Sequence, residues 1–392
     1  MRTQHTIAVV GASLAGLRAV QALRREGFEG GVTLIGAESH LPYNRPPLSK
    51  SVLRGDDEIT LPGAEELGDQ WVKGRHAVRL SAADQRLTLD DGSEIRYDGL
   101  VIATGARPRR LPEHLEGVHT LRTIEDSLTL RAALAAGPRH VVVVGGGFIG
   151  GEVASTARAL GLAVSLVDAA PYPMKNVLGP EAARWLAGQH RSNGVELVSG
   201  TRVTGVDGNG RVTGVRLGDG RTLPADLVIA GMGVVPNTEW LEGSGLTLDD
   251  GVVCDETLFA RGVANVVAAG DVARWSHSLY GGRLVRVEHW SNANDQGAVA
   301  AVNLLAGPES AKPFADVPSF ATHVHGARVQ IAGLPHLADA SRTVAGHPEE
   351  DRFTIAFAKD GVLVGAVAVN SPRDLIRIKR GIVAGDGLDA VG

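Results

Sequence analysis

The strongest constraint on this chain is that it writes one folding unit twice. The first copy opens with the apolar run Ile7-Ala8-Val9-Val10. It continues with Gly11-Ala12-Ser13-Leu14-Ala15-Gly16, a helical pattern through Arg25 and a second apolar run, Val32-Thr33-Leu34-Ile35. The second copy opens with Val141 to Val144. Gly145-Gly146-Gly147-Phe148-Ile149-Gly150 follows, then a helical stretch to Leu160 and Val164-Ser165-Leu166-Val167. Each is a strand, a glycine turn, a helix and a strand within roughly 30 residues, the pattern of a dinucleotide-binding βαβ unit.

Later parts repeat too. Leu87-Thr88-Leu89-Asp90-Asp91-Gly92, with its Asp-Gly hairpin signal, precedes the apolar run from Leu100 to Thr104-Gly105. In the second copy Val215-Arg216-Leu217-Gly218-Asp219-Gly220 precedes Leu227 to Ala230 and Gly231-Met232-Gly233. Each block ends in a buried strand that returns the chain, through a glycine turn, to the dinucleotide. A lone glycine fingerprint is a weak signal, whereas two with matching return strands are a strong one. The expected fold class is therefore α/β, with two Rossmann-like dinucleotide-binding domains, one inserted in the other.

Composition closes other routes. With 39 Lys+Arg against 44 Asp+Glu, the formal charge of −5 argues against a nucleic-acid or anionic-membrane binder. One cysteine, Cys254, excludes an internal disulfide, a CxxC redox pair and cysteine-rich metal sites, and no metal is expected. Cys254 itself reads as a small buried hydrophobe. No apolar run approaches the ~18–20 residues of a membrane span, and the N-terminus lacks a secretory core, so the chain reads as cytoplasmic.

Each helix start offers free N–H groups and partial positive charge to a pyrophosphate. In the first copy Gly11, Ser13, Leu14, Ala15 and Gly16 form that turn. Ser13 replaces the glycine that lets backbone approach the phosphates, but it is small and carries a hydroxyl that can bond one. In the second copy the turn is Gly145, Gly147, Ile149 and Gly150, and Gly231 and Gly233 close the site from the return strand. Acidic residues after each second strand, Glu38 and Asp168, suit ribose hydroxyls. Asp168 is followed by Ala169-Ala170-Pro171, with no cation for a 2′-phosphate, which favours NADH over NADPH. Gly270-Asp271 ends one further apolar strand, present once, and suits the polyol chain of FAD.

At this point the chain resembles the two-dinucleotide-binding flavoproteins that include glutathione reductase. Pro42-Tyr43-Asn44-Arg45-Pro46-Pro47-Leu48-Ser49-Lys50 and Arg286-Val287-Glu288-His289-Trp290-Ser291-Asn292-Ala293 narrow the likeness. Together they resemble the ferredoxin–NAD(+) reductases of Rieske oxygenases and bacterial cytochromes P450, the putidaredoxin reductase type. The resemblance implies an FAD-binding domain over residues 1–110 and 237–313, an NAD-binding domain over 111–236 and a small C-terminal α+β domain over 314–392. It places FAD on the first copy, with Arg45, Lys50, Ala77, Thr104, Gly105, Arg122 and Trp290 as further contacts, and NADH on the second.

Disulfide reductases of the superfamily pass electrons to a cysteine pair, and peroxide- or oxygen-reducing relatives use one cysteine soon after the first unit. Here that neighbourhood reads Leu48-Ser49-Lys50. By resemblance Lys50 is a cation near the flavin, paired with Glu152, which also counts among the NADH contacts, and a positive charge beside the flavin stabilises an anionic reduced ring. The bland alternative is a solvated lysine and a first-turn glutamate. Trp290 packs on the flavin or fills core. Gly151 stands where relatives carry a bulkier aliphatic residue and is expected to loosen packing near the nicotinamide. Ser319-Phe320-Ala321-Thr322-His323 lacks the tryptophan and acid of relatives' aromatic-Trp-Ser-Asp-Gln stretch.

The expected reaction takes electrons from NADH through FAD to a [2Fe-2S] ferredoxin. The basic clusters Arg107-Pro108-Arg109-Arg110 and Arg373, Arg377, Lys379, Arg380 are candidate docking surfaces for that acidic partner. Rubredoxin, a quinone, a free flavin or oxygen remain alternative acceptors. A redox-sensing flavoprotein like apoptosis-inducing factor is the non-enzymatic alternative. The chain is expected as a monomer or homodimer.

Overall fold

The computed structural model describes residues 5–56, 58–65 and 70–391. The chain forms two compact units. One comprises Met1–Asn44, Ile59–Arg107 and Val235–Pro318; the other comprises Arg45–Glu58, Pro108–Val234 and Ser319–Gly392. Arg45–Glu58, which sequence reasoning grouped with the first nucleotide unit, clusters in the second, and so does the tail.

The first unit is built on a five-stranded parallel sheet in the order Val266–Ala268, Gly99–Ile102, Thr6–Val10, Gly31–Gly36, Gln70–Lys73. Its central strands are near-continuous apolar runs because both faces are covered. Helix α1 (Leu14–Arg25) buries Leu14, Leu17, Val20 and Leu23.

The second unit repeats the arrangement, with the order Val118–His119, Leu227–Ala230, Val141–Val144, Val164–Asp168, Val195–Ser199, all parallel. Helix α2 (Ile124–Ala135) is capped by Thr123, whose hydroxyl accepts from the Asp126 N–H while the Asp126 carboxylate accepts from the Thr123 N–H. Helix α3 (Phe148–Ala159) follows the second glycine turn, and α4 (Lys175–Ser192) is kinked at Gly179.

The repeat extends to single hydrogen bonds. Gly11 N–H donates to Ile35 O at 2.8 Å and Ala103 N–H to Val10 O at 2.7 Å. In the second copy Gly145 N–H donates to Val167 O at 2.8 Å and Gly231 N–H to Val144 O at 2.7 Å.

Helix α5 (Trp290–Ala306) returns to the first unit and crosses α1, where a Cβ on Gly297 would stand 2.3 Å from Ala15 O. The tail forms an antiparallel sheet in the order Ser319–Val324, Ala327–Gly333, Val362–Val369, Arg352–Lys359, Ala340–His347. Helix α6 (Pro372–Ala384) covers it with Leu375, Ile378 and Ile382, spaced as one helical face. The expected α/β class with a small α+β tail is what the chain adopts. Among the described residues no helix is long and apolar enough to cross a membrane.

Candidate functional site

The glycines of the two turns do different work. Gly11 has φ +115°, and a Cβ there would stand 2.1 Å from Ala103 O; the matching figures for Gly145 are +96° and 2.3 Å from Gly231 O. A Cβ on Gly16 would stand 1.8 Å from Gly11 O, and one on Gly150 1.9 Å from Gly145 O. The protein itself therefore demands these four, for the tight turn and for close packing of helix on strand. Gly147 is different. It is exposed, its φ is −68°, and a Cβ on it would meet nothing within 4 Å. Among the described residues no atom forbids a side chain at 147, so the open space suits a ligand's close approach. Ser13 holds the equivalent N-cap position before α1.

In the first unit the N-termini of α1 and α5 converge on one point. A Cβ on Gly270 (φ +77°) would lie 3.2 Å from the Ala15 Cβ and 3.5 Å from the Ala293 Cβ. The Gln296 side chain fixes the turn by accepting from Gly270 N–H at 2.9 Å. Two helix ends with positive partial charge beside Asp271 can hold a pyrophosphate together with polyol hydroxyls. Glu38 follows strand Gly31–Gly36 and accepts from the Tyr43 hydroxyl. Thr104 donates to Asn237 O at 2.9 Å, and the Asn237 N–H donates to Gly105 O at 3.0 Å, so both residues anchor the returning chain. Ala77 lies half-buried on strand Ala77–Ser81. Trp290 opens α5 with 40% of its surface exposed, so it is no core filler.

In the second unit Asp168 ends strand Val164–Asp168. Its two oxygens accept from Gly146 N–H and Ala170 N–H, each at 2.7 Å. These bonds orient the carboxylate and leave lone pairs for a diol. Beside Gly147, Ile149 is 41% exposed, an aliphatic surface at a helix start. Gly231 comes within contact of Gly150, where its Cβ would stand 3.4 Å from the Gly150 Cα, and Gly233 is exposed.

The second unit also joins Lys50 to Glu152. The Lys50 Nζ lies 2.7 Å from Glu152 Oε2, and the Glu152 side chain is only 4% exposed. Ser49, itself buried, donates to the same oxygen, and Thr322 donates to Oε1. Thr156 donates to Ser49 O at 2.9 Å and Ser127 to Leu48 O at 2.7 Å, which tie this segment to α3 and α2. Sequence reasoning found the Lys50–Glu152 pair and missed the Thr322 and Ser49 hydroxyls that complete it. Arg45 donates to Arg122 O at 2.6 Å, bringing those two together. The space left by Gly151 faces the His190 ring and Val324, with a Cβ in ordinary contact at 3.6 Å and 4.0 Å.

Cys254 is fully buried and burial pushes its thiol up, so the thiolate is disfavoured. Of the basic residues, Arg107 pairs with Glu239, whereas Arg109 and Arg110 are exposed. On α6, Arg373, Arg377 and Arg380 are exposed beside Ile376 and Val383, and Lys379 donates to Ser319 Oγ at 2.9 Å.

These features fit two dinucleotides, and comparison with known proteins agrees. The model of the pyridine nucleotide-disulphide oxidoreductase family matches residues 5–297, and that of the reductase C-terminal domain matches residues 320–391. The ferredoxin–NAD(+) reductase component of the p-cumate 2,3-dioxygenase system of Pseudomonas putida is 37% identical over 98% of this chain and 94% of that protein. The ferredoxin reductase for the CYP199A2 system from Rhodopseudomonas palustris superposes with a TM-score of 0.89 at 36% identity, covering 95% of this chain and 93% of that one. Putidaredoxin reductase, in its covalent complex with putidaredoxin, gives 0.91 at 32% identity over 97% and 93%. The chain belongs to the pyridine nucleotide-disulphide oxidoreductase family, among the ferredoxin–NAD(+) reductases of dioxygenase and cytochrome P450 systems.

Proposed function

We propose that this chain carries electrons from NADH through FAD to a [2Fe-2S] ferredoxin that feeds an oxygenase or a cytochrome P450. FAD, when bound, supplies a two-electron acceptor able to release electrons singly. The protein's part is to bind, orient and set charge.

The first copy, with Gly11, Ser13, Leu14, Ala15, Gly16, Gly270 and Asp271, is the proposed seat of the FAD pyrophosphate and polyol, and Glu38 that of its ribose. Arg45, Ala77, Thr104, Gly105, Arg122 and Trp290 are proposed as further FAD contacts. Gly145, Gly147, Ile149, Gly150, Glu152, Asp168, Gly231 and Gly233 are proposed to hold NADH. Asp168 faces no cation in Ala169-Ala170-Pro171, which supports NADH rather than NADPH. In functional terms residues 1–110 with 237–313 serve FAD, 111–236 serve NADH, and 314–392 form a third part. Lys50 is the proposed cation for the flavin's polar edge, fixed by Glu152.

The observation that carries this reading is the Lys50–Glu152 ion pair in a chain whose single cysteine is buried. A disulfide outlet is closed, and a charged group suited to flavin chemistry stands where a cysteine would. The test is NADH-driven cytochrome c reduction by the FAD-loaded protein, with and without a [2Fe-2S] ferredoxin, at low and high salt. A large ferredoxin-dependent rate that falls with salt is expected. A second reading, a small acceptor such as a quinone or oxygen, is favoured by the exposed Ala321 on strand Ser319–Val324. A rapid rate indifferent to ferredoxin would select it.

A further inference from the structure

We propose that Thr322 is a positioning residue for the Lys50–Glu152 pair, delivered by strand Ser319–Val324. The inference rests on the reading of that pair as acting on the flavin.

Alternate residues of the strand lie along α3. The Phe320 ring is 4.1 Å from the Phe148 ring, Thr322 donates to Glu152 Oε1, and Val324 Cγ2 stands 4.0 Å from the place of a Cβ on Gly151. Just beyond, the His325 N–H donates to Ser155 Oγ at 2.8 Å. Positions 148, 151, 152 and 155 share one helical face, so the period of two on the strand is matched by the period of 3.6 on the helix. The register is fixed at several points. A slip of one residue would bring Ala321 or His323 to Glu152, and neither carries a hydroxyl.

Thr322 is buried while Ala321 and His323 are exposed. The two oxygens of Glu152 are served separately. Oε2 receives Ser49 and Lys50, and among the described residues the donor to Oε1 is Thr322. A buried carboxylate oxygen without a donor is costly, so another donor is drawn to it. Lys50 is the mobile one, with three N–H groups on a flexible stem. Its ammonium now sits 2.7 Å from Oε2 and 3.3 Å from Ser49 Oγ. Loss of the Thr322 hydroxyl moves it toward Oε1 and off that point. Thr322 thus holds the lysine indirectly, by keeping Oε1 occupied.

The test compares Thr322→Val with Thr322→Ser in the FAD-loaded enzyme. Valine keeps the shape and loses the hydroxyl, and serine keeps the hydroxyl. Thr322→Val is expected to slow flavin reduction by NADH roughly tenfold, the worth of one hydrogen bond to a charged group, while the NADH KM stays within about twofold. Its flavin midpoint potential is expected to fall, because the cation retreats and the carboxylate is less neutralised. Thr322→Ser restores both. If the valine variant takes up no FAD, Thr322→Ala gives the same readouts without crowding α3.

Glu152→Gln and Lys50→Met run alongside. Wild-type rate and potential in Thr322→Val, with both impaired in Glu152→Gln, would refute the positioning role and leave the pair's role intact. Silence of Glu152→Gln and Lys50→Met together would overturn the reading beneath it as well.

Discussion

Two glycines three positions apart should respond to alanine in opposite ways. Gly147 is the N-cap of α3, with φ −68°, and its Cβ would meet nothing within 4 Å. Alanine is a poorer N-cap than glycine, by about 0.5–1 kcal/mol. It also restricts the unfolded chain, which offsets about 0.4–1 kcal/mol. Gly147→Ala should therefore leave the melting temperature within about 2 °C of wild type. Its methyl group would stand where the pyrophosphate of NADH is proposed to pass, raising the NADH Kd at least about tenfold, ~1.4 kcal/mol. Ser13 places a Cβ at the equivalent point of the first copy, which is why complete loss is not expected.

Gly150→Ala reverses the outcome. Its Cβ would stand 1.9 Å from Gly145 O, so α3 must withdraw from the strand that carries it. Overpacking of this kind costs about 1–3 kcal/mol, a fall in melting temperature of roughly 2–12 °C. Differential scanning fluorimetry and NADH titration followed by flavin fluorescence read both quantities on the same samples. An unchanged NADH Kd in Gly147→Ala would refute the proposed nucleotide path. An unchanged melting temperature in Gly150→Ala would refute the packing argument.

Three further outcomes follow from the same structure. His190, held down to about 3 by burial and the neighbouring His325 and Arg191, and His325, held down to about 4 by burial and Arg158, both lie below the ordinary 6.5. The unfolded chain therefore binds protons first, so stability is full above about pH 6.5 and is lost as pH falls toward 4, by roughly 2 kcal/mol at pH 5 from the buried His190, with a smaller share from the part-exposed His325; urea melts at pH 7.5 and 5 check it, and His325→Gln should flatten the slope. Arg373→Glu with Arg380→Glu, both on the exposed face of α6, should lower ferredoxin-dependent cytochrome c reduction and weaken its salt dependence, while direct ferricyanide reduction by NADH stays unchanged. Cys254→Ala should leave the NADH-to-ferredoxin rate within about twofold, since a buried thiol with a raised pKa has no part in transfer; a large loss of rate with FAD still bound would reopen the cysteine route.

What repeats along the chain is legible in its sequence. The glycine turns, the second strands and the return strands occur twice, and four strands of the two parallel sheets follow the same order, the outer fifth coming late in the chain in one (Val266–Ala268) and early in the other (Val118–His119). The physical reason is local: a tight turn, a helix start and an apolar run are each written within a few residues. Which glycine serves packing and which leaves space was not legible, because Gly147 and Gly150 differ only in what stands beside them. In sequence Trp290 fits a core or a site equally, and its 40% exposure in the fold separates the two. Ser49 and Thr322 stand 103 and 170 positions from Glu152, and nothing local marks a threonine as the donor to a distant carboxylate. The grouping of Arg45–Glu58 with the second unit was invisible for the same reason.

The tail segment that departs most from the resembled pattern can now be read by its pleat. Phe320, Thr322 and Val324 turn toward α3, where they meet Phe148, Glu152 and the space beside Gly151. Ala321 and His323 turn outward. With Phe320 taken as the aromatic of that pattern, the missing tryptophan and acid fall at 321 and 323, and the hydroxyl of Thr322 belongs to the inward set. An alternating strand separates the two duties, because a change on one face leaves the other face's register untouched. Ala321 can therefore change what approaches the strand from solvent without releasing the carboxylate that fixes Lys50, whereas His323, although exposed, lies close enough to feel the charges of both Lys50 and Glu152. On this argument a shift in acceptor preference alone would come from position 321, a change at 323 would touch both acceptor and pair, and a change at 322 would alter the flavin's reduction for every acceptor alike.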